Sequence, residues 1–126
     1  MKYLIVITSL ISLNACANSE DCQSLTTQSE MTICENKKLN KLEKELKEKF
    51  IYISKLSPDD KNLASAQILW EKYREKHCAS VTNIYSGGSI YNYSFTLCNI
   101  RKTSARIKTL EIDYRDTINI ITKGSP

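Results

Sequence analysis

The sequence predicts an all-α domain of three long helices in a small bundle stapled by two disulfides. Three observations carry that expectation. Two prolines and three glycines in 126 residues leave long stretches without a helix breaker. Apolar residues recur at three- and four-residue steps in three successive blocks, and no strand-like alternation of useful length competes with them. Five cysteines follow an apolar leader, and the four beyond Cys16 suit an oxidising compartment.

The chain begins with Met1-Lys2, a short positive start, followed by a mostly apolar stretch from Tyr3 to Leu13. A bilayer span needs about 20 such residues, so this stretch has the length of a secretory h-region. Leu13-Asn14-Ala15-Cys16 resembles a bacterial lipobox, with leucine at −3, a small residue at −1 and the cysteine that would be lipidated. The expectation is a signal peptide over 1–15, Cys16 as the lipid-bearing first residue, and an anchored arm over 16–21. Ordinary cleavage leaving Cys16 free, or a buried first helix with a chance cysteine, are the competing readings. Several acyl chains would hold the protein firmly, at about 0.8 kcal/mol per buried CH2. Ala17, in place of an aspartate, suits outer-membrane sorting in a Gram-negative host. Without Lys2 the net charge falls from +4 to about +3, spread along the chain and forming no nucleic-acid stripe.

The domain proper is expected over 22–121, with 122–126 as a tail. Thr27-x-x-Glu30 reads as a capping box opening the first helix. Met31, Leu39, Leu42, Leu46, Phe50 and Ile53 form its apolar stripe, and Glu43/Lys47 and Glu45/Lys49 predict ion pairs along a solvated face. Ser57-Pro58-Asp59-Asp60 reads as a second helix start, with Ser57 as N-cap and Pro58 in the first turn. Leu63, Ala66, Leu69, Trp70, Tyr73 and His77 follow as its stripe. Gly87-Gly88-Ser89 reads as a helix C-cap followed by a serine N-cap. Tyr93, Leu97, Ile100, Ser104, Ile107, Leu110 and Tyr114 make the third stripe.

Cysteines 22, 34, 78 and 98 allow three disulfide connectivities. Cys78 and Cys98 lie ten residues either side of Gly88, so a reversal there brings them face to face. Spacing thus favours Cys78–Cys98 and leaves Cys22–Cys34 to pin the N-terminal arm, each closing a short loop worth roughly 3 kcal/mol. Zinc competes poorly, because no CxxC pair is present.

No catalytic constellation assembles. His77 is the only histidine, and Cys78 beside it would point roughly 100° away on a helix. The glycine pair lacks the lysine and strand context of a phosphate loop. No cofactor and no metal site is expected, and the chain reads as a non-catalytic protein. Recognition remains. Tyr85, Gly87, Gly88, Ser89, Tyr91 and Tyr93, with Phe95, surround the turn and form the first candidate contact surface, since tyrosines are enriched at hot spots. Trp70 with Arg74 is the second. For both, packing within the bundle is the bland reading.

The ordered pattern Cys22-x11-Cys34, Ala66-Gln67-x-x-Trp70-x-x-Tyr73-Arg74-x-x-x-Cys78, Gly87-Gly88-Ser89, Cys98 and Thr103-x-x-Arg106-x-x-x-Leu110 resembles the LprI-type lysozyme inhibitor N-terminal domain family. It covers about residues 22–114. The resemblance implies a helical, disulfide-bonded, exported and non-catalytic domain whose partner is a protein: a lysozyme, or a toxin-like enzyme if the chain serves as an immunity protein. A purely structural envelope lipoprotein is the third reading. Animal lysozymes are generally basic, so a net-positive inhibitor gains no long-range steering toward them. Local acids at Asp59-Asp60 or at Glu111, Asp113 and Asp116 would have to supply the complementarity.

Overall fold

The structure, a computed structural model, describes residues 21–124. The expected leader and Cys16 lie outside the described residues. Three long helices, α1 (Gln28–Leu56), α2 (Lys61–Val81) and α3 (Tyr91–Asp113), are followed by a short α4 (Arg115–Lys123). Single 3-10 turns stand at Cys22–Ser24 and Asn83–Tyr85. The described residues contain no strand, so the all-α expectation holds, with α4 as an addition.

The start of α1 is the capping box read from the sequence. Thr27 Oγ1 accepts from the Glu30 amide at 3.2 Å, and the Glu30 carboxylate accepts from the Thr27 amide at 3.1 Å. The start of α2 differs from expectation. Asp60, not Ser57, is its N-cap, accepting from the amides of Asn62 at 2.9 Å and Leu63 at 3.3 Å. A carboxylate serving two orphan amides outcompetes one serine hydroxyl, so Ser57 becomes the C-cap of α1 and Pro58 lies in the connecting turn. The glycine turn also departs from the predicted caps. Thr82 closes α2 in a right-handed conformation, and Ile90 precedes α3 with no side-chain cap, so Ser89 caps nothing. Gly87 is needed for the turn itself, because its φ of +78° lies where a Cβ is disfavoured.

Side-chain pairings fix the helix directions. Asn36 meets Thr96 and Lys49 meets Glu111, so α1 and α3 run parallel. Cys78–Cys98, Arg74–Thr103 and Gln67–Arg106 set α2 antiparallel to α3. The second disulfide joins Cys22 to Cys34, folding the arm back on α1. Both α1 and α2 pack on α3, which makes α3 the central helix, and they meet each other through side chains such as Glu43 and Arg74. Leu46, Ile53, Leu63, Ile107 and Leu110 form the buried core, with Leu42, Phe50, Trp70, Tyr114 and Ile118 packed against it.

A helix with neighbours on two sides buries more than one stripe, and this is where the apolar spacing misled. On α3 the buried residues besides Cys98 are Thr96, Asn99, Thr103, Ile107 and Leu110; Ser104 is exposed, and Tyr93, Leu97 and Ile100 are half-buried. On α2 the buried line runs Leu63, Gln67, Cys78, with Trp70 and Arg74 half-buried between them, while Ala66, Leu69 and Tyr73 face solvent. Gln67 and Arg74 stay inside because their polar heads find partners there, and a hydropathy reading passes over them.

The charge pairs on α1 also change partner. Glu43 and Lys49 reach across to Arg74 and Glu111 rather than along their own helix, and the longer-range pairs tie α1 to α2 and α3. Lys49 donates to Glu111 at 2.6 Å. That hydrogen bond, reinforced by the lysine charge, holds the Glu111 carboxyl below its ordinary 4.5. A carboxyl depressed in the folded state stabilises above its unfolded value and loses that contribution as pH falls through the folded one. The gap in Tm between the native chain and Glu111→Gln should therefore be full at neutral pH and close progressively below pH 4.5. Thermal denaturation across a pH series at low salt checks this; a gap unchanged at acid pH would contradict it.

Candidate functional site

A groove lies between α1 and α2, lined by residues of both. Its apolar section has a volume of about 640 Å³, with Leu46, Phe50 and Ile51 on one wall and Ala64, Ile68 and Trp70 on the other. A more polar section of about 490 Å³ continues toward the N-terminal end of α1, reaching Asn36, Leu39, Glu75, Phe95, Thr96 and Asn99. Glu43, Ile68, Glu71 and Arg74 border both sections.

Arg74 ties the three helices at this border. Its Nη1 donates to Thr103 Oγ1 at 2.6 Å on α3, and its Nη2 pairs with Glu43 Oε1 at 2.9 Å on α1. Its guanidinium also lies over the Trp70 ring, 5.1 Å from the centroid. Arg106 sits over the same ring at 5.8 Å and donates through Nε to Gln67 at 3.3 Å. Gln67 in turn donates to Glu71 at 3.2 Å. Cation–π contacts and shared hydrogen bonds thus hold an aromatic ring and two guanidiniums in place before any partner arrives. Thr103 is fully buried, which makes its single guanidinium partner structurally valuable. Among the described residues the buried Arg74 Nε alone lacks a partner, so the network is nearly complete.

The residues around the glycine turn lie elsewhere, at the end of the bundle where α2 passes into α3. Tyr85 is exposed, while Tyr91 and Tyr93 are half-buried, and Tyr91 stacks on Phe95 with centroids 5.9 Å apart. Gly87, Gly88 and Ser89 are all exposed. The two candidate surfaces are therefore separate: Trp70 and Arg74 meet in the groove, whereas Tyr85, Gly87, Gly88, Ser89, Tyr91 and Tyr93 gather at the tip. Sequence reasoning missed the most prominent tip residue, Ile84, which is 83% exposed, together with exposed Val81 and Ile90. The signal was present. From Ala79 to Ile100 the chain carries no Asp, Glu, Lys or Arg, although a quarter of all residues are charged. Sequence reasoning also missed Ile68 and Glu71 as groove residues, because a wall formed by two helices distant in sequence leaves no local pattern.

Two of the acids expected to offer complementarity are engaged within the bundle. Asp60 caps α2 and Glu111 holds Lys49, whereas Glu71 and Glu75 line the groove. Among the described residues no cluster of three or more His, Cys, Asp or Glu could hold a metal ion, and no helix is long and apolar enough to cross a membrane.

No curated protein and no solved structure matches this chain. A family profile described as Lysozyme inhibitor LprI does match, over residues 12–110. That span takes in both disulfides, the whole of α1 and α2, and the Trp70–Arg74–Thr103–Arg106 network up to Leu110. The cysteine, QxxWxxYR and TxxR positions that the sequence spaces so regularly are the ones that staple and clamp three helices around one groove, and the chain belongs to the lysozyme inhibitor LprI family.

Proposed function

We propose that the protein is an exported, non-catalytic inhibitor that binds a lysozyme-type cell-wall-degrading enzyme, and that the groove between α1 and α2 is its contact surface. The observation that carries the surface is the groove centre: Trp70 and Arg74 are fixed by Thr103, Glu43 and Arg106 beside an apolar wall with Ile68 at 54% exposure. Tryptophan and arginine set in a pocket are the residue types that dominate binding energy. Glu71 and Glu75 add negative charge beside them, which suits a basic enzyme despite the positive total. A lysozyme cleaves with two carboxylates in a cleft, so gripping the lip of that cleft blocks substrate without any chemistry by the inhibitor. Family membership supports the enzyme class, and the two disulfides support an exported chain. Cys16 as lipid anchor, and an outer-membrane location, belong to the same reading.

The purified chain should slow lysis of a peptidoglycan suspension by lysozyme at near-stoichiometric ratio. Ile68→Asp, at an exposed position outside the core, should abolish that effect with helix content unchanged, an affinity loss on the order of 2 kcal/mol or more. Full inhibition by Ile68→Asp would remove the groove from the mechanism. The excess of basic residues favours one alternative, an immunity protein against a delivered acidic toxin. A chain that leaves a panel of lysozymes active and binds such a toxin would establish it.

A further inference from the structure

The uncharged tip and the N-terminal start of the described chain lie at the same end of the bundle. Parallel α1 and α3 require this. Asn36 is level with Thr96, so the first turn of α1, roughly 12 Å earlier at 1.5 Å per residue, is level with the turn before Tyr91. Cys22 is held near that end by its bond to Cys34, with Cα atoms 5.6 Å apart. The segment from Cys16 to Cys22 spans at most about 20 Å when extended. Whatever holds the N-terminus to a membrane therefore brings this end of the bundle to the lipid surface.

The chemistry of the end fits that neighbour. Val81, Ile84, Tyr85 and Ile90 are exposed on an uncharged stretch from Ala79 to Ile100, and tyrosine is favoured at membrane interfaces, where its ring is buried and its hydroxyl hydrated. The first charges behind the tip on α3 are Arg101 and Lys102, and on α2 Lys76 followed by Glu75. The arm and the start of α1 also bring the acids Asp21 and Glu30 near this end, both tied into local capping hydrogen bonds, and Glu20 precedes Asp21 in sequence. Lys76, one to two turns behind Val81, can meet lipid phosphates while the tip enters the headgroup layer, whereas Arg101 and Lys102 stand about three turns back.

We propose that the Val81–Ile90 tip is a membrane-contact surface that seats the domain upright on the bilayer, leaving the α1–α2 groove facing sideways into the surrounding space. The seat rests on the reading of Cys16 as a lipid anchor and is independent of which enzyme the groove takes. The full chain, reconstituted in phosphatidylethanolamine–phosphatidylglycerol vesicles containing bromine-labelled acyl chains, tests it by fluorescence. Trp70, the one native tryptophan, lies in the groove and should keep its emission. Ile84→Trp places a second reporter at the tip, whose added emission should be blue-shifted and largely quenched. An unquenched reporter at 84, or equal quenching of the native chain, would overturn the proposal. Ile84→Asp gives the second arm: it should leave inhibition of an added basic lysozyme unchanged. Loss of inhibition there would make the tip a protein-binding surface and overturn the lipid assignment, whereas failure of the groove variant alone would leave it intact.

Discussion

Replacing Cys78 and Cys98 together with alanine is expected to lower stability by roughly 3 kcal/mol, while the same change at Cys22 and Cys34 costs much less. Both staples close loops of comparable length, with sequence separations of 20 and 12, so chain entropy alone gives similar values near 3 kcal/mol. Their folded surroundings differ. Cys78–Cys98 joins two long helices within the bundle and holds the C-terminal end of α2, beyond the Leu63, Gln67 and Arg74 links that attach its earlier part. Cys22–Cys34 ties down a short arm whose detachment leaves the core of Leu46, Ile53, Leu63, Ile107 and Leu110 intact. When the arm frays, the native state regains the entropy that the unfolded state regains, and the two nearly cancel. For a domain of about this size, 3 kcal/mol corresponds to a fall in Tm of at least about 12 °C. Thermal denaturation of both double variants makes the comparison. Equal losses would mean that the arm does not fray independently of the core.

Arg74→Ala should show the next largest effect, about 2 kcal/mol from urea unfolding. The substitution leaves the fully buried Thr103 hydroxyl without its donor, strips Glu43 of its cation and removes one of two guanidiniums from Trp70. Glu43 is 43% exposed, so solvent screening limits its share of the loss. Arg74→Lys should recover less than half, since an ammonium cannot bond two helices through separate nitrogens and stack on the ring as well. A loss below about 0.5 kcal/mol, or full recovery by lysine, would show that the network is incidental to stability.

How much was legible in the sequence follows from which contacts are local. The Thr27–Glu30 capping box acts within one turn and was readable. So was the staple across Gly88, because a chain reversal makes Cys78 and Cys98 neighbours. The caps at Ser57 and Ser89 were misread because several residues in each turn can cap, and tertiary geometry selects among them; at the second helix it selected Asp60. The inner faces of α2 and α3 were misread for a different reason. Gln67, Arg74, Thr96, Asn99 and Thr103 look solvent-facing when judged by hydropathy, yet each finds a hydrogen-bond partner in the structure, with Asn36, Glu43 and Arg106 supplying three of the links from other helices. The groove itself could not be read at all. It lies between α1 and α2, whose lining residues are distant in sequence and come together only when both helices pack on α3. Trp70 and Arg74 were recognised as a candidate pair, but Ile51, Ile68, Glu71 and Glu75 enter only once the walls are assembled.

Hydrogen exchange on the protein with and without bound lysozyme tests the groove most directly. Slowed exchange is expected over the facing stretches of α1 around Leu46–Ile51 and of α2 around Ala64–Arg74, with the Asn83–Ile90 turn unchanged. Protection confined to that turn, or no protection anywhere with lysozyme in excess, would contradict binding through the groove.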